Sequence, residues 1–176
     1  IALALGDSAT FIGTERLISR GIEVYEEIFE KQGITVKKSK TKIELNGRLR
    51  ADTFYVRGNV SSQFISGLIF ALPLLDGDSK IVITTELESK SYVDITIDAV
   101  NQLGIEITRK ENEIFVKGNQ KYLCKNETVE GDYSNSAFLG AFNLLGGDVD
   151  VFGLKEDSVQ GDKAYISMFK ELKNGS

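Results

Sequence analysis

Three short runs of this sequence carry side chains that could do chemistry. Ser61-Ser62-Gln63 follows Gly58-Asn59 and leads into the apolar stretch Phe64 to Leu72. Serines at the entry to a helix cap its first turn, and the backbone N–H groups left open there attract anions. A second run, Ser89-Lys90-Ser91-Tyr92, opens another helical period with a hydroxyl and an ammonium. Two helix starts bearing hydroxyl, amide and ammonium groups suit a phosphate, although each alone also reads as an ordinary cap. The third is Arg20, just ahead of the amphipathic period Ile22, Tyr25, Ile28 and Phe29. A cation at a helix start opposes the helix dipole. A guanidinium fork clamping a carboxylate or phosphate would explain it, as would a solvated arginine pairing Glu15 or Glu23.

Other chemical features are weaker. Asp132 reads as an N-cap, and Asp94 and Asp98, four apart, as like charges on a solvated helix face. Cys124 reads as a small, semi-buried strand residue. Gly146-Gly147 and Gly153 form no P-loop, because no Gly-Lys-Ser/Thr follows. The chain has no histidine, so Ser–His and Cys–His catalysis and histidine-ligated metal sites are excluded within it. One cysteine excludes an intrachain disulfide and thiolate clusters and suits a reducing compartment.

The net charge is −5, with both signs interspersed. This argues against a broad basic face for nucleic acid. No stretch approaches the ~20 apolar residues of a membrane span. With 176 residues, 41% hydrophobic and 27% charged, the chain is expected to be a soluble, cytoplasmic α/β protein with a sizeable core. It opens at Ile1 in an apolar segment and stops after a last helical period, Tyr165 through Leu172. An excised piece of a longer chain is therefore expected.

The elements that position these residues emerge from an internal repeat. Gly58-Asn59-Val60-Ser61-Ser62-Gln63-Phe64-Ile65 is echoed by Gly131-Asp132-Tyr133-Ser134-Asn135-Ser136-Ala137-Phe138. Each runs into an apolar helix, a Gly-Asp turn (Gly77-Asp78, Gly147-Asp148) and a β-branched strand. Gly33-Ile34 returns as Gly104-Ile105, and Ser19-Arg20 as Ser89-Lys90, at nearly the same offset. That period of about seventy predicts βαβαββ modules. They comprise a partial first module at 1–50, a complete one at 51–120, and the start of a further one at 121–176. Within the complete module, Phe54 to Val56 and Ile81 to Thr85 read as strands, and Ser61 to about Leu72 and Ser89 to Leu103 as helices. Gly104 then stops the second helix, and Ile105-Ile107 pairs with Ile114-Val116. The helix from Phe64 to Leu72 is apolar nearly all round, which predicts that it is buried on every side and that the helices pack inside mixed sheets.

Gly58-Asn59-Val60-Ser61-Ser62-Gln63-Phe64, Ser89-Lys90-Ser91-Tyr92-Val93-Asp94-Ile95-Thr96, Val129-Glu130-Gly131-Asp132-Tyr133-Ser134 and Gln160-Gly161-Asp162 occur in an order and spacing that resembles the EPSP synthase family. These are the 3-phosphoshikimate 1-carboxyvinyltransferases. Gly13-Thr14-Glu15-Arg16 through Arg20-Gly21-Ile22 is similar to that family's arginine-bearing loop. The resemblance covers essentially the whole chain. It implies an inside-out barrel fold, with two domains of three βαβαββ units each, residues 121–176 beginning the second domain.

It also implies transfer of the enolpyruvyl group of phosphoenolpyruvate to the 5-hydroxyl of shikimate 3-phosphate by addition and elimination, releasing phosphate, with no cofactor. By the resemblance, Ser61, Ser62, Gln63, Ser89 and Tyr92 would hold shikimate 3-phosphate, and Arg20 with Gln63 would hold phosphoenolpyruvate. The family's N-terminal Lys-Ser segment and most of its second domain, with its acid–base residues, have no counterpart in these residues. No catalytic residue is therefore expected here, and the chain alone should be inactive. The family commonly has proline where Gly21 and Ser91 stand. The competing expectations are the sister enzyme acting on UDP-N-acetylglucosamine and a non-catalytic repeat module.

Overall fold

The computed structural model describes residues 1–175 and divides them into two units, residues 1–123 and residues 124–175. The first unit begins with α1 (Ala2–Leu5), β1 (Ser8–Ile12), α2 (Glu15–Ile18), α3 (Glu23–Lys31), β2 (Thr35–Lys38) and β3 (Lys42–Asn46). It continues with β4 (Thr53–Val56), α4 (Ser62–Ala71), β5 (Ser79–Ile83), α5 (Lys90–Gln102), β6 (Ile107–Lys110) and β7 (Glu113–Val116).

The repeat is visible in the strand order. One sheet runs β1-β3-β2, wholly antiparallel, and the other β4-β5-β7-β6. The last three strands of the second sheet repeat the order of the first. Gly6-Asp7-Ser8 leads into β1 as Gly77-Asp78-Ser79, one repeat later, leads into β5. Among the described residues only β4 and β5 run parallel, with Phe54 opposite Ile81 and Val56 opposite Ile83. A parallel pair needs a crossover, and the apolar α4 supplies it.

Both sheets turn alternate side chains inward: Ile43 and Leu45, Phe54 and Val56, Ile81 and Ile83, Ile114 and Val116. These share one core with Val24, Ile28 and Phe29 of α3, Ile65, Leu68 and Ile69 of α4, and Val93 and Val100 of α5. Helices thus pack against the inner faces of both sheets, of which only the second is mixed. Outward-facing Tyr55 and Phe115 are exposed. Pro73, which lacks an N–H, follows α4 in a short 3₁₀ turn, Leu72–Leu74. Gly104 stops α5 in the left-handed conformation, φ 82°, which glycine adopts without a Cβ clash.

The second unit holds α6 (Tyr133–Leu144), a 3₁₀ turn (Gly161–Ala164) and α7 (Tyr165–Asn174). A Cβ on Gly140 of α6 would lie 2.8 Å from the Tyr165 ring, so the helices approach closely there. Tyr165 also packs edge-on to Phe169, ring centroids 5.2 Å apart.

Four expectations are corrected. The helix from Phe64 to Leu72 is not buried on every side, since Phe70 is 36% exposed. The stretch after Gly147-Asp148 forms no strand, and Cys124 is exposed in irregular backbone. Strands exist by pairing; here the Asn143 side chain takes both backbone groups of Val149, at 2.9 and 2.7 Å. Asp94 is no free charge either: Arg109 Nη1 lies 2.6 Å from its carboxylate.

Candidate functional site

Because β4 and β5 are parallel, the loops that leave them lie at one edge of the sheet, and α4 and α5 both start there. In open α/β sheets ligands bind beyond the carboxyl ends of parallel strands, and this single parallel pair offers the same kind of edge. Ser61 is the N-cap of α4, in extended backbone, and its Oγ accepts the Gln63 N–H at 3.3 Å. A hydroxyl that accepts retains its own hydrogen to donate. Ser62 is buried at the first helical position, and Gln63 beside it is exposed.

Ser89 is the N-cap of α5, yet its hydroxyl makes no capping bond. The two helix starts are therefore not capped alike, contrary to expectation. The Ser89 hydroxyl is not spent on the helix, and the N–H groups of the first turn lack that acceptor. Tyr92, one turn on, is 54% exposed. The helices are joined just below these starts, where Ser66 Oγ and Thr96 Oγ1 lie 2.7 Å apart.

Above the helices, the two loops are stitched together. The Thr85 hydroxyl accepts the Gly58 N–H at 2.9 Å and the Asn59 N–H at 3.2 Å, and donates to Asn59 Oδ1 at 3.2 Å. A Cβ on Gly58 would come within 2.8 Å of the Glu86 carbonyl oxygen. Glycine is what lets these backbones meet.

Arg20 stands apart from this cluster. It is exposed, between α2 and α3, and among the described residues it bonds neither Glu15, Glu23 nor the Ser61–Gln63 segment. Glu15 faces Lys40 instead, at 3.6 Å. Gly21 lies outside α3 at φ 77°, which proline cannot adopt, so the backbone differs here from a loop with proline at that position. The link from α3 to α4 is Tyr25, whose hydroxyl donates to the Phe64 carbonyl at 2.8 Å. Burial pushes that hydroxyl up to about 12. An apolar cavity of about 420 Å³ beside it is lined by Phe11, Ile22, Phe29 and Leu68 among others and suits no anion.

No local pattern marks Thr85, Thr96 or Tyr25 as residues that shape the site. For Thr85 a signal existed: Ser158 stands to Thr85 as Gly131 stands to Gly58, one repeat further along the chain. In the second unit Asp132 is the predicted cap of α6. It accepts from the Ser134 N–H at 2.9 Å and the Ser134 hydroxyl at 2.8 Å, and these bonds hold its carboxyl below the ordinary aspartate range. Among the described residues, no helix is long and apolar enough to cross a membrane.

The EPSP synthase (3-phosphoshikimate 1-carboxyvinyltransferase) family model matches residues 1–174. The 3-phosphoshikimate 1-carboxyvinyltransferase of Clostridium novyi (strain NT) is 48% identical over 175 residues, covering 98% of this chain and 40% of that protein. The enzyme of the same name from Clostridioides difficile (strain 630) is 43% identical over the same shares. The chain thus spans about 40% of the length of the curated relatives it matches. A solved EPSP synthase from Acinetobacter baumannii superposes with a TM-score of 0.59 at 17% identity, over 75% of this chain and 30% of that one. It has the same fold. With a family match across nearly every residue and relatives this similar, the chain belongs to the EPSP synthase family.

Proposed function

We propose that this chain is part of a 3-phosphoshikimate 1-carboxyvinyltransferase, which moves the enolpyruvyl group of phosphoenolpyruvate to the 5-hydroxyl of shikimate 3-phosphate and releases phosphate. Residues 51–120 form a complete module, residues 1–50 part of the one before it, and residues 121–176 the start of a further module in a second domain. Ser61, Ser62, Gln63, Ser89 and Tyr92 hold shikimate 3-phosphate, and Arg20 and Gln63 hold phosphoenolpyruvate. Family membership supports this reading. The observation that carries it is the meeting of two helix starts at one sheet edge, with the Ser61 hydrogen and the Ser89 hydroxyl both open to a ligand. Such starts are electropositive and bind anions without further cations. The acid–base groups of the reaction belong to the rest of the parent protein, so the 176-residue chain is inactive alone. The parent enzyme works in the cytoplasm, which agrees with a free, exposed Cys124.

Calorimetric titration of this chain with shikimate 3-phosphate, with UDP-N-acetylglucosamine as control, tests the reading. The expected result is saturable binding of the shikimate ester alone, lost in the Ser61/Ser62/Gln63 triple alanine variant. Binding that survives the triple variant would remove these residues from the site.

A further inference from the structure

We propose that Thr85 is a positioning residue whose hydroxyl fixes the spacing between the starts of α4 and α5, and with it the shikimate 3-phosphate pocket. A threonine hydroxyl has one hydrogen and two acceptor positions. Thr85 spends all three here: the Gly58 and Asn59 N–H groups are accepted, and its hydrogen goes to Asn59 Oδ1 at 3.2 Å in preference to the more distant Glu86 carbonyl at 3.5 Å. Nothing remains for a ligand, so Thr85 acts through the loop it holds. That loop runs straight into Ser61-Ser62-Gln63, and Thr85 itself lies one helical turn's length of chain ahead of Ser89. The contact is tight elsewhere too. The Gly58 Cα faces the Glu86 carbonyl and Leu87 Cα without room for a Cβ. The adjoining ladder continues through the Thr84 N–H to the Val56 carbonyl at 2.9 Å.

The second unit repeats the device. Ser158, at the position equivalent to Thr85, donates to Glu130 Oε1 at 2.9 Å and accepts the Gln160 N–H at 3.2 Å. Gln160 in turn donates to Glu130 Oε1 and the Gly131 carbonyl, and accepts the Tyr133 N–H, all at 2.9 Å. In both units a hydroxyl at one repeat position ties the loop entering one helix to the loop entering the next.

The inference that Thr85 sets the pocket rests on the substrate reading given above; the tie itself does not. Thr85→Val keeps the shape and removes the hydroxyl, and Thr85→Ser restores it. In this chain, Thr85→Val is expected to speed amide hydrogen exchange at Gly58 and Asn59 about ten-fold or more, while buried amides of β5 and β7 stay protected. It is also expected to weaken shikimate 3-phosphate binding about ten-fold. Thr85→Ser should recover both. Unchanged exchange at Gly58 and Asn59 in Thr85→Val overturns the proposal, whatever the binding result. So does unchanged affinity in a variant whose loop exchange has risen. A wild-type chain that binds no shikimate 3-phosphate would overturn the pocket role together with the substrate reading, and the exchange measurement would still decide the tie.

Discussion

Ser66 Oγ and Thr96 Oγ1 meet at 2.7 Å between α4 and α5, and Thr96 also donates to the Tyr92 carbonyl at 2.8 Å. One threonine hydrogen cannot serve both bonds, so Ser66 is the donor to Thr96. The pair thus links the two helices one turn beneath Tyr92 and two turns beneath Ser89, both candidate ligand groups. Thr96→Val removes the acceptor and leaves the Ser66 hydroxyl without its partner in the helix interface. Urea unfolding should register a loss of about 1–3 kcal/mol, and Ser66→Ala should cost less, about 1 kcal/mol. The double variant should lose less than the sum of the two. Strictly additive losses would mean that the two hydroxyls do not interact.

Tyr25 makes stability depend on alkaline pH. Its hydroxyl donates to the Phe64 carbonyl, and burial raises it from the ordinary 10.0 to about 12. The folded value lies above the unfolded one. Ionisation therefore costs the folded state nothing below about pH 10 and progressively more as pH rises through about 12, on the order of 3 kcal/mol in all. Tyr25→Phe should lose about 1 kcal/mol at neutral pH. Its unfolding free energy should then fall less steeply than the wild type's between about pH 10 and pH 12. Equal slopes in the two proteins would show that Tyr25 is not shielded.

Asp132 gives the opposite sign at the start of α6. Its carboxyl is held below 3.8, first by the Ser134 hydroxyl and then by the Ser134 N–H. A depressed folded value means that the contribution is present above the unfolded value and is lost as pH falls through the folded one. The amide resonances of Ser134 and Asn135 should stay fixed above about pH 5 and move with a midpoint below the ordinary carboxylate range. In Asp132→Asn, which keeps an acceptor oxygen without the charge, they should not titrate. A midpoint at the ordinary value would mean that the cap does not form.

Much of this molecule is set by its sequence alone. Alternation at Phe54 to Val56 and Ile114 to Val116, the polar-to-apolar switch at Ser61, and Gly104 are local instructions, and the local backbone obeys them. The internal repeat defined the module, and two of its copies share one strand order. The motifs around Ser61-Ser62-Gln63 and Ser89-Lys90-Ser91-Tyr92 identified the family.

Other features are properties of neighbours, which no local pattern carries. Val149 to Val151 has the composition of a strand, but a strand requires a partner edge, and the Asn143 side chain took the backbone groups of Val149 instead. Phe70 looks as apolar as Leu68, yet one is exposed and the other buried because only one face of α4 meets the sheets. Ser61 and Ser89 are both N-caps by sequence; only the first spends its oxygen on the helix, since that depends on backbone angles ahead of each start. Thr85 is far along the chain from Gly58 and Asn59, whose amides it holds. That contact arises only once parallel pairing of β4 and β5 has brought their two exits to the same edge.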